Sequence, residues 1–393
     1  MPVFGLPRPG GRWDVGVADA GSGDRALRIW YPVEPGTAGM AAPYRAGERA
    51  ATLRTRIRRR LTCSSARTNV PPAPGRHPLL IYVPSWGGTR GENTALAEFL
   101  AARGFVVAAL DDNDSAAALE FSTPAAVVQT LRNGDAKAIR LAGRVSAELG
   151  CLIAGGCGAP QAIRFDPERV GVVGYSFGGA VAAEAARADE RIRAAINLDG
   201  WMFGTAAARG VPRPYLVIGT GARTCASRTA GRAVTPVARS LEDHFTVENE
   251  RLIGAGIARY GGYFASIDGT RHAAFSDAGV LLPGLRLAGP LGGRRAHRII
   301  RTLVGQFCDR YVAGRPAPLF AENAPAVTTA ETEFDPCLRW IVRHAPRPGN
   351  RAARPPAGGV TTVAAYRPDS TGLRRMTAEV QERGIATLDG FLT

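Results

Sequence analysis

The chain has 393 residues, is 45% hydrophobic, and sets 49 basic against 34 acidic side chains for a formal charge of +15. That apolar content supports a large buried core; the length would admit a second domain, although α/β sheets run this long as one. No apolar stretch is long enough to span a bilayer as a helix, and no internal repeat is present.

The opening Met1-Pro2-Val3-Phe4-Gly5-Leu6 lacks the apolar core of a secretory signal. The expectation therefore leans to the cytoplasm, with a mature secreted or periplasmic form as the alternative. Lys137 is the only lysine, so the basic excess is almost entirely arginine. A nucleic-acid reading needs clustering plus a recognition motif, and neither a nucleic-acid fold nor a zinc spacing accompanies the charge. No nucleic-acid partner, cofactor or metal is expected, and the oligomeric state stays open. Six cysteines, at 63, 151, 157, 225, 308 and 337, are too sparse for a disulfide scaffold. Cys151 and Cys157 flank Leu-Ile-Ala-Gly-Gly and are spaced to close a small loop in an oxidising compartment.

In chain order, Trp13 to Val17 and Leu27 to Tyr31 read as antiparallel strands at one edge of a sheet. Residues 33–76 form a Pro/Gly/Arg-rich insertion. Within it Arg54, Arg56, Arg58, Arg59 and Arg60, with Leu53, Ile57 and Leu61 at helical spacing, form a basic amphipathic helix. A solvated face packed through three apolar residues is the plainer account; peripheral contact with an anionic membrane surface, or a lid, is the functional one. Leu79 to Val83 is a strand, Ala95 to Ala102 a helix after Asn93, and Phe105 to Leu110 a strand. Asp111-Asp112-Asn113-Asp114 ends that strand and suits turn and pocket-edge roles, since a metal would need further ligands. Val127 to Leu149 is a long helix, and Ile299, Ile300, Leu303, Val304, Phe307 and Tyr311 mark the last helix of the core. This alternation predicts an α/β fold, a mostly parallel central sheet with helices on both faces. The catalytic domain is expected over 1–344, a linker over 345–359, and an appendix with a strand and a helix (Leu373 to Arg383) over 360–393.

The chemistry concentrates at Val172-Val173-Gly174-Tyr175-Ser176-Phe177-Gly178-Gly179, a strand running into Gly-x-Ser-x-Gly and then a small-residue helix. Such a turn lifts the serine hydroxyl off the sheet and aims a helix N-terminus at it, the nucleophile elbow of an α/β-hydrolase. A serine nucleophile needs a histidine base and an acid that holds its tautomer, in the chain order serine, acid, histidine. His77 precedes the elbow, His297 sits among arginines on a helix and reads as solvated, and His344 lies by the tail. His244 approaches a helix, whereas His272 follows the strand Tyr263 to Ile267, where open sheets place active groups.

No Asp or Glu occurs from Gly200 through Ser240, after the strand Tyr215 to Ile218. Asp199, at the tip of Ala194 to Leu198, is therefore the acid, with Asp243 and Glu242 as fallbacks. For the oxyanion, one backbone N–H is expected from Phe177 and one from Pro84-Ser85-Trp86-Gly87-Gly88-Thr89. The Gly88 amide is preferred there, with Gly87 or Trp86 as neighbours.

Together with Ile29-Trp30-Tyr31-Pro32, Gly104 to Ala109, Leu198-Asp199-Gly200-Trp201-Met202-Phe203 and His272-Ala273-Ala274-Phe275, the elbow resembles the platelet-activating factor acetylhydrolase-like family of α/β-hydrolases. The resemblance covers roughly residues 13–312. It implies esterase action on short or oxidised acyl groups, with Ser176 as nucleophile, Asp199 as acid, His272 as base, and oxyanion amides at Phe177 and Gly88. The family usually has His-Gly where this chain has Trp86-Gly87, and commonly His before the serine, where Tyr175 stands. With Trp201, these residues are expected to line the substrate pocket and to change its wall without removing a triad member. The expected function is a serine carboxylic-ester hydrolase acting through an acyl-enzyme on short-chain or lipid-derived esters. The alternatives are an acyltransferase, an amidase, a polyester hydrolase, or a non-catalytic ligand-binding relative.

Overall fold

The computed structural model describes residues 5–44, 63–113, 124–221, 236–281, 286–321, 330–331 and 337–344. The expected basic helix around Arg54 to Arg60, Asp114, the 345–359 linker and the 360–393 appendix lie outside them. Among the described residues twelve strands form one sheet. Its centre is parallel: β5 (His77–Val83), β6 (Val106–Leu110), β7 (Phe165–Tyr175), β8 (Ile192–Leu198), β9 (Tyr215–Thr220) and β10 (Gly262–Ile267). These strands are near-continuous apolar runs because both faces are covered; every residue of β5, β6 and β10 is buried.

β1 (Asp14–Ala20) and β2 (Leu27–Val33) pair antiparallel, as expected, and β2 joins the centre through β6. They are not the edge, however. β3 (Met40–Pro43) and β4 (Cys63–Thr68), both drawn from the 33–76 insertion, extend the sheet beyond β1. At the other end β12 (Leu338–His344) pairs antiparallel with β10, and β11 (Ala330–Glu331) with β12.

Helices cover both faces. α2 (Pro124–Ile153), α3 (Phe177–Ala188), α4 (Gly204–Arg209) and α5 (Pro236–Tyr260) contribute to one apolar cluster. α1 (Thr94–Ala102) and α7 (Gly293–Cys308) contribute to the other, and the short α6 (Asp277–Leu281) lies between α5 and α7 in the chain. None of the described helices is long and apolar enough to cross a membrane. Cys151 and Cys157 are joined by a disulfide at the end of α2, where Glu148 pairs with Arg25 at 2.9 Å.

β5 has β6 on one side and β7 on the other, so the chain reverses its direction of travel across the sheet there. In doubly wound sheets ligands bind outside the carboxyl ends of the strands at such a switch point. The loops after β5 and β7 flank it.

His297 departs from expectation. It is 4% exposed on α7, turned into the core beside Ile300, and not solvated. Burial, with the nearby Arg301 guanidinium, pushes its imidazole down to about 4 from 6.5. Below 6.5 the unfolded chain takes up a proton that the folded chain refuses. This group's contribution is therefore complete above about 6.5 and is lost as pH falls toward about 4, by up to about 3 kcal/mol. Urea denaturation of wild type and His297→Phe from pH 7.5 to 4 should show the wild type's advantage shrinking by that order. A pH-independent difference would contradict it.

Candidate active site

β7 delivers Tyr175 to the top of the sheet and α3 begins at Phe177, so the reversal is made at Ser176 alone. Its φ of 55° lies in the left-handed region, a strained conformation for a side-chain-bearing residue. The neighbours must be small. A Cβ on Gly174 would overlap the Gly178 carbonyl, one on Gly178 the Val83 and Pro84 carbonyls, and one on Gly179 the Asn197 amide. Ser176 N–H donates to the Leu198 carbonyl at 2.8 Å, tying the elbow to the tip of β8.

Asp199 follows β8 directly and also holds a positive φ, 54°. Asn197, fully buried, fixes that turn: its Oδ1 accepts from Gly200 N–H at 2.8 Å, and its Nδ2 donates to the Gly200 carbonyl at 3.0 Å. Asp199 Oδ1 accepts from Thr220 N–H at 2.8 Å, leaving Oδ2 to face the imidazole. His272 Nδ1–H donates to Asp199 Oδ2 at 2.7 Å, and Ser176 Oγ–H donates to His272 Nε2 at 3.0 Å. Three side chains from the ends of β7, β8 and β10 thus form one chain of hydrogen bonds. The His272 side chain is 51% exposed and that of Asp199 9%, so the imidazole opens to solvent while the carboxylate is enclosed.

The His272 loop is clamped to the start of α1. Asn93 Nδ2 donates to the Phe275 carbonyl at 2.7 Å, and Asp277 accepts from Thr94 N–H, Ala95 N–H and the Tyr44 hydroxyl. Burial nonetheless pushes the Asp277 carboxyl up to about 8. Glu92, raised by burial, accepts from Ser85 N–H at 2.8 Å and Ser85 Oγ–H at 2.6 Å. Tyr175 is 5% exposed and does not face an open pocket. Its ring stacks on His272 at 4.9 Å, its hydroxyl donates to the His272 carbonyl at 3.2 Å, and burial raises its phenol well above the usual range.

The loop after β5 is tightly engaged. The Gly88 amide, expected to face the nucleophile, donates to the Ser85 carbonyl at 2.8 Å and closes a turn. Gly87 N–H donates to Asp112 Oδ2 at 2.7 Å. The Phe177 amide is the first of α3, where an N–H has no acceptor within its own helix. Trp86 and Trp201 are half-buried beside the same core cluster, and the Trp86 ring packs on Phe177 at 4.4 Å. Asp111 pairs with Arg90, and Asp112 with Lys137.

His77 is in the core, with its Nδ1 3.2 Å from the Gly104 carbonyl. Glu242, Asp243 and His244 fall on α5, with side chains outside the described residues. Sequence reasoning passed over Asn197 and the Lys137–Asp112 pair. The signals were a polar residue inside an apolar strand and the sole lysine of an arginine-rich chain.

The elbow glycines and a surface glycine should respond oppositely to alanine. Gly178→Ala should lose about 2–3 kcal/mol through overlap with the Val83 and Pro84 carbonyls. Gly143→Ala, exposed on α2 with no heavy atom within 4 Å of its Cβ, should gain about 0.5–1 kcal/mol. Urea denaturation reads both, and equal effects would contradict the packing account.

Residues 163–232, which hold the elbow and Asp199, match the family model for platelet-activating factor acetylhydrolase, isoform II. A platelet-activating factor acetylhydrolase from Cavia porcellus is 30% identical over 173 residues, covering 36% of this chain and 40% of that protein. A probable 1-alkyl-2-acetylglycerophosphocholine esterase from Arthroderma benhamiae is 26% identical over 209 residues, covering 51% of this chain and 48% of its own. The chain therefore spans less than half the length of these curated relatives. Among solved structures, a ferulic acid esterase from Streptomyces cinnamoneus superposes with a TM-score of 0.62 at 25% identity, covering 86% of this chain and 99% of that one. The fold is thus of the α/β-hydrolase type, and the stretch of chain that makes its elbow is similar to the platelet-activating factor acetylhydrolase, isoform II, family.

Proposed function

We propose that this protein is a carboxylic ester hydrolase in which Ser176, His272 and Asp199 act as nucleophile, base and acid. The observation that carries the reading is the continuous bond chain from Ser176 Oγ to His272 Nε2 and from His272 Nδ1 to Asp199. The Ser176 hydroxyl attacks the ester carbonyl as its proton passes to His272 Nε2. Asp199 holds the imidazole in the accepting tautomer and stabilises the imidazolium that forms. The Phe177 amide, at the positive end of α3, stabilises the developing oxyanion. His272 returns the proton to the leaving alcohol, and a water activated by the same imidazole releases the acid from Ser176.

Short-chain or lipid-derived acyl esters are the favoured substrates, in keeping with the acetylhydrolase and esterase names of the relatives. One observation favours a second acyl class. The half-buried Trp86 ring, packed on Phe177 with centroids 4.4 Å apart, offers a flat aromatic face suited to an aryl acid such as that named for the structural relative.

Ser176→Ala should lower hydrolysis of p-nitrophenyl acetate by about 10⁴-fold or more, and Asp199→Asn by about 10³–10⁴-fold, with folding retained. Retained turnover in Ser176→Ala would refute the reading. Comparing kcat/KM for p-nitrophenyl acetate with that for methyl ferulate separates the two acyl classes.

A further inference from the structure

We propose that Lys137 is a positioning residue for ester hydrolysis, holding the Trp86–Gly88 loop beside the nucleophile through Asp112. The proposal rests on the esterase reading for its kinetic consequence, but its structural core is independent of that reading.

Lys137 lies on α2 with its side chain fully buried, and its Nζ is 2.7 Å from Oδ2 of Asp112, itself 1% exposed at the end of β6. That same Oδ2 accepts from Gly87 N–H at 2.7 Å. The Asp112 backbone grips the loop again, its N–H donating to the Gly88 carbonyl at 3.0 Å. One residue therefore holds two successive residues of the loop, and the ammonium holds that residue. Lys137 Nζ also sits 4.3 Å from the Trp86 ring centroid and 5.7 Å from that of Phe177. The cation thus meets the aromatic residue of the loop and the residue that follows the nucleophile.

A carboxylate this buried holds its charge only beside a compensating one. Without the ammonium, Asp112 would lose this ion pair, and its grip on Gly87 would change. The choice of lysine is itself informative. Of 49 basic residues, 48 are arginine, yet this position carries the compact ammonium that suits one oxygen and two ring faces. A planar guanidinium fork is matched to two carboxylate oxygens, and here one of the two is shared with a backbone amide. Because the held loop packs through Trp86 on Phe177, whose amide is the proposed oxyanion donor, its loosening should slow turnover more than it weakens substrate binding.

The test uses the full chain with Lys137→Met and with Lys137→Met/Asp112→Asn. In the double variant the neutral amide oxygen still accepts from Gly87 and no charge needs compensation. The readouts are hydrogen–deuterium exchange of residues 84–91 by mass spectrometry, and kcat and KM on p-nitrophenyl acetate. Lys137→Met should raise exchange in that segment and lower kcat by roughly 30–100-fold with KM within about 3-fold. The double variant should regain protection and recover at least about tenfold in kcat.

Wild-type exchange and turnover in Lys137→Met would overturn the proposal, as would a double variant no better than the single. Should the single variant not fold, the double decides: protection of 84–91 supports the coupling, and raised exchange there in an otherwise protected fold overturns it. A wild-type protein that hydrolyses no ester refutes the esterase reading, while the exchange experiment still judges the loop.

Discussion

The close approach of backbone around Ser176 is the constraint on which the rest of the site depends. A serine held at φ 55° must be kept there by its surroundings, because nothing local favours that conformation. The surroundings are two passing backbones and one side chain: the end of β5 beneath Gly178, the start of α3 over Gly174, and the Asn197 amide beside Gly179. Each approach is too near for a side chain. The small residues of α3, buried along its length from Phe177 to Ala186, let that helix lie against the sheet and hold the turn. What exposes the hydroxyl is therefore the packing of the sheet itself.

From that point the site is assembled by hydrogen bonds between strand ends. Ser176 is bonded to Leu198, Asp199 to Ile218 and Thr220, and Gly221 to Ile267, so the elbow, the Asp199 turn and the β10 loop follow one another along the sheet rim. Asn197 keeps Asp199 in its left-handed turn, and Asn249 accepts from Met202 N–H at 2.7 Å to hold the chain beyond it. His272 is supported from behind by Tyr175 and from the side by the clamp between its loop and α1. Polar groups buried in this way are bonded to specific partners, which leaves the loops few alternative arrangements.

Much of this was legible in the chain because local patterns carry it. Gly174 and Gly178 announce the elbow, the apolar runs of β5, β6 and β10 announce strands covered on both faces, and the absence of acids from 200 to 240 points to Asp199. What escaped depends on long-range partners. The Gly-Gly of the β5 loop suggests an open amide at Gly88, but Ser85 and Asp112 engage Gly88 and Gly87 instead. His297 has arginines before and after it, but helical periodicity places it beside Ile300, on the buried stripe. Tyr175 looks like a pocket residue because it adjoins the serine, yet the strand's alternation turns it beneath His272. The outer strands β3, β4, β11 and β12 are short or lie in Pro- and Arg-rich sequence, and gain strand geometry from the edges they join.

The most direct test of the account is to trap the covalent intermediate. Acid quench during turnover of p-nitrophenyl acetate, followed by peptide mass spectrometry, should find an acetyl group on Ser176 in the wild type. It should be absent, or form far more slowly, in His272→Ala. An acetyl group on another residue, or labelling of Ser176 at the same rate without His272, would contradict the proton relay on which the account is built.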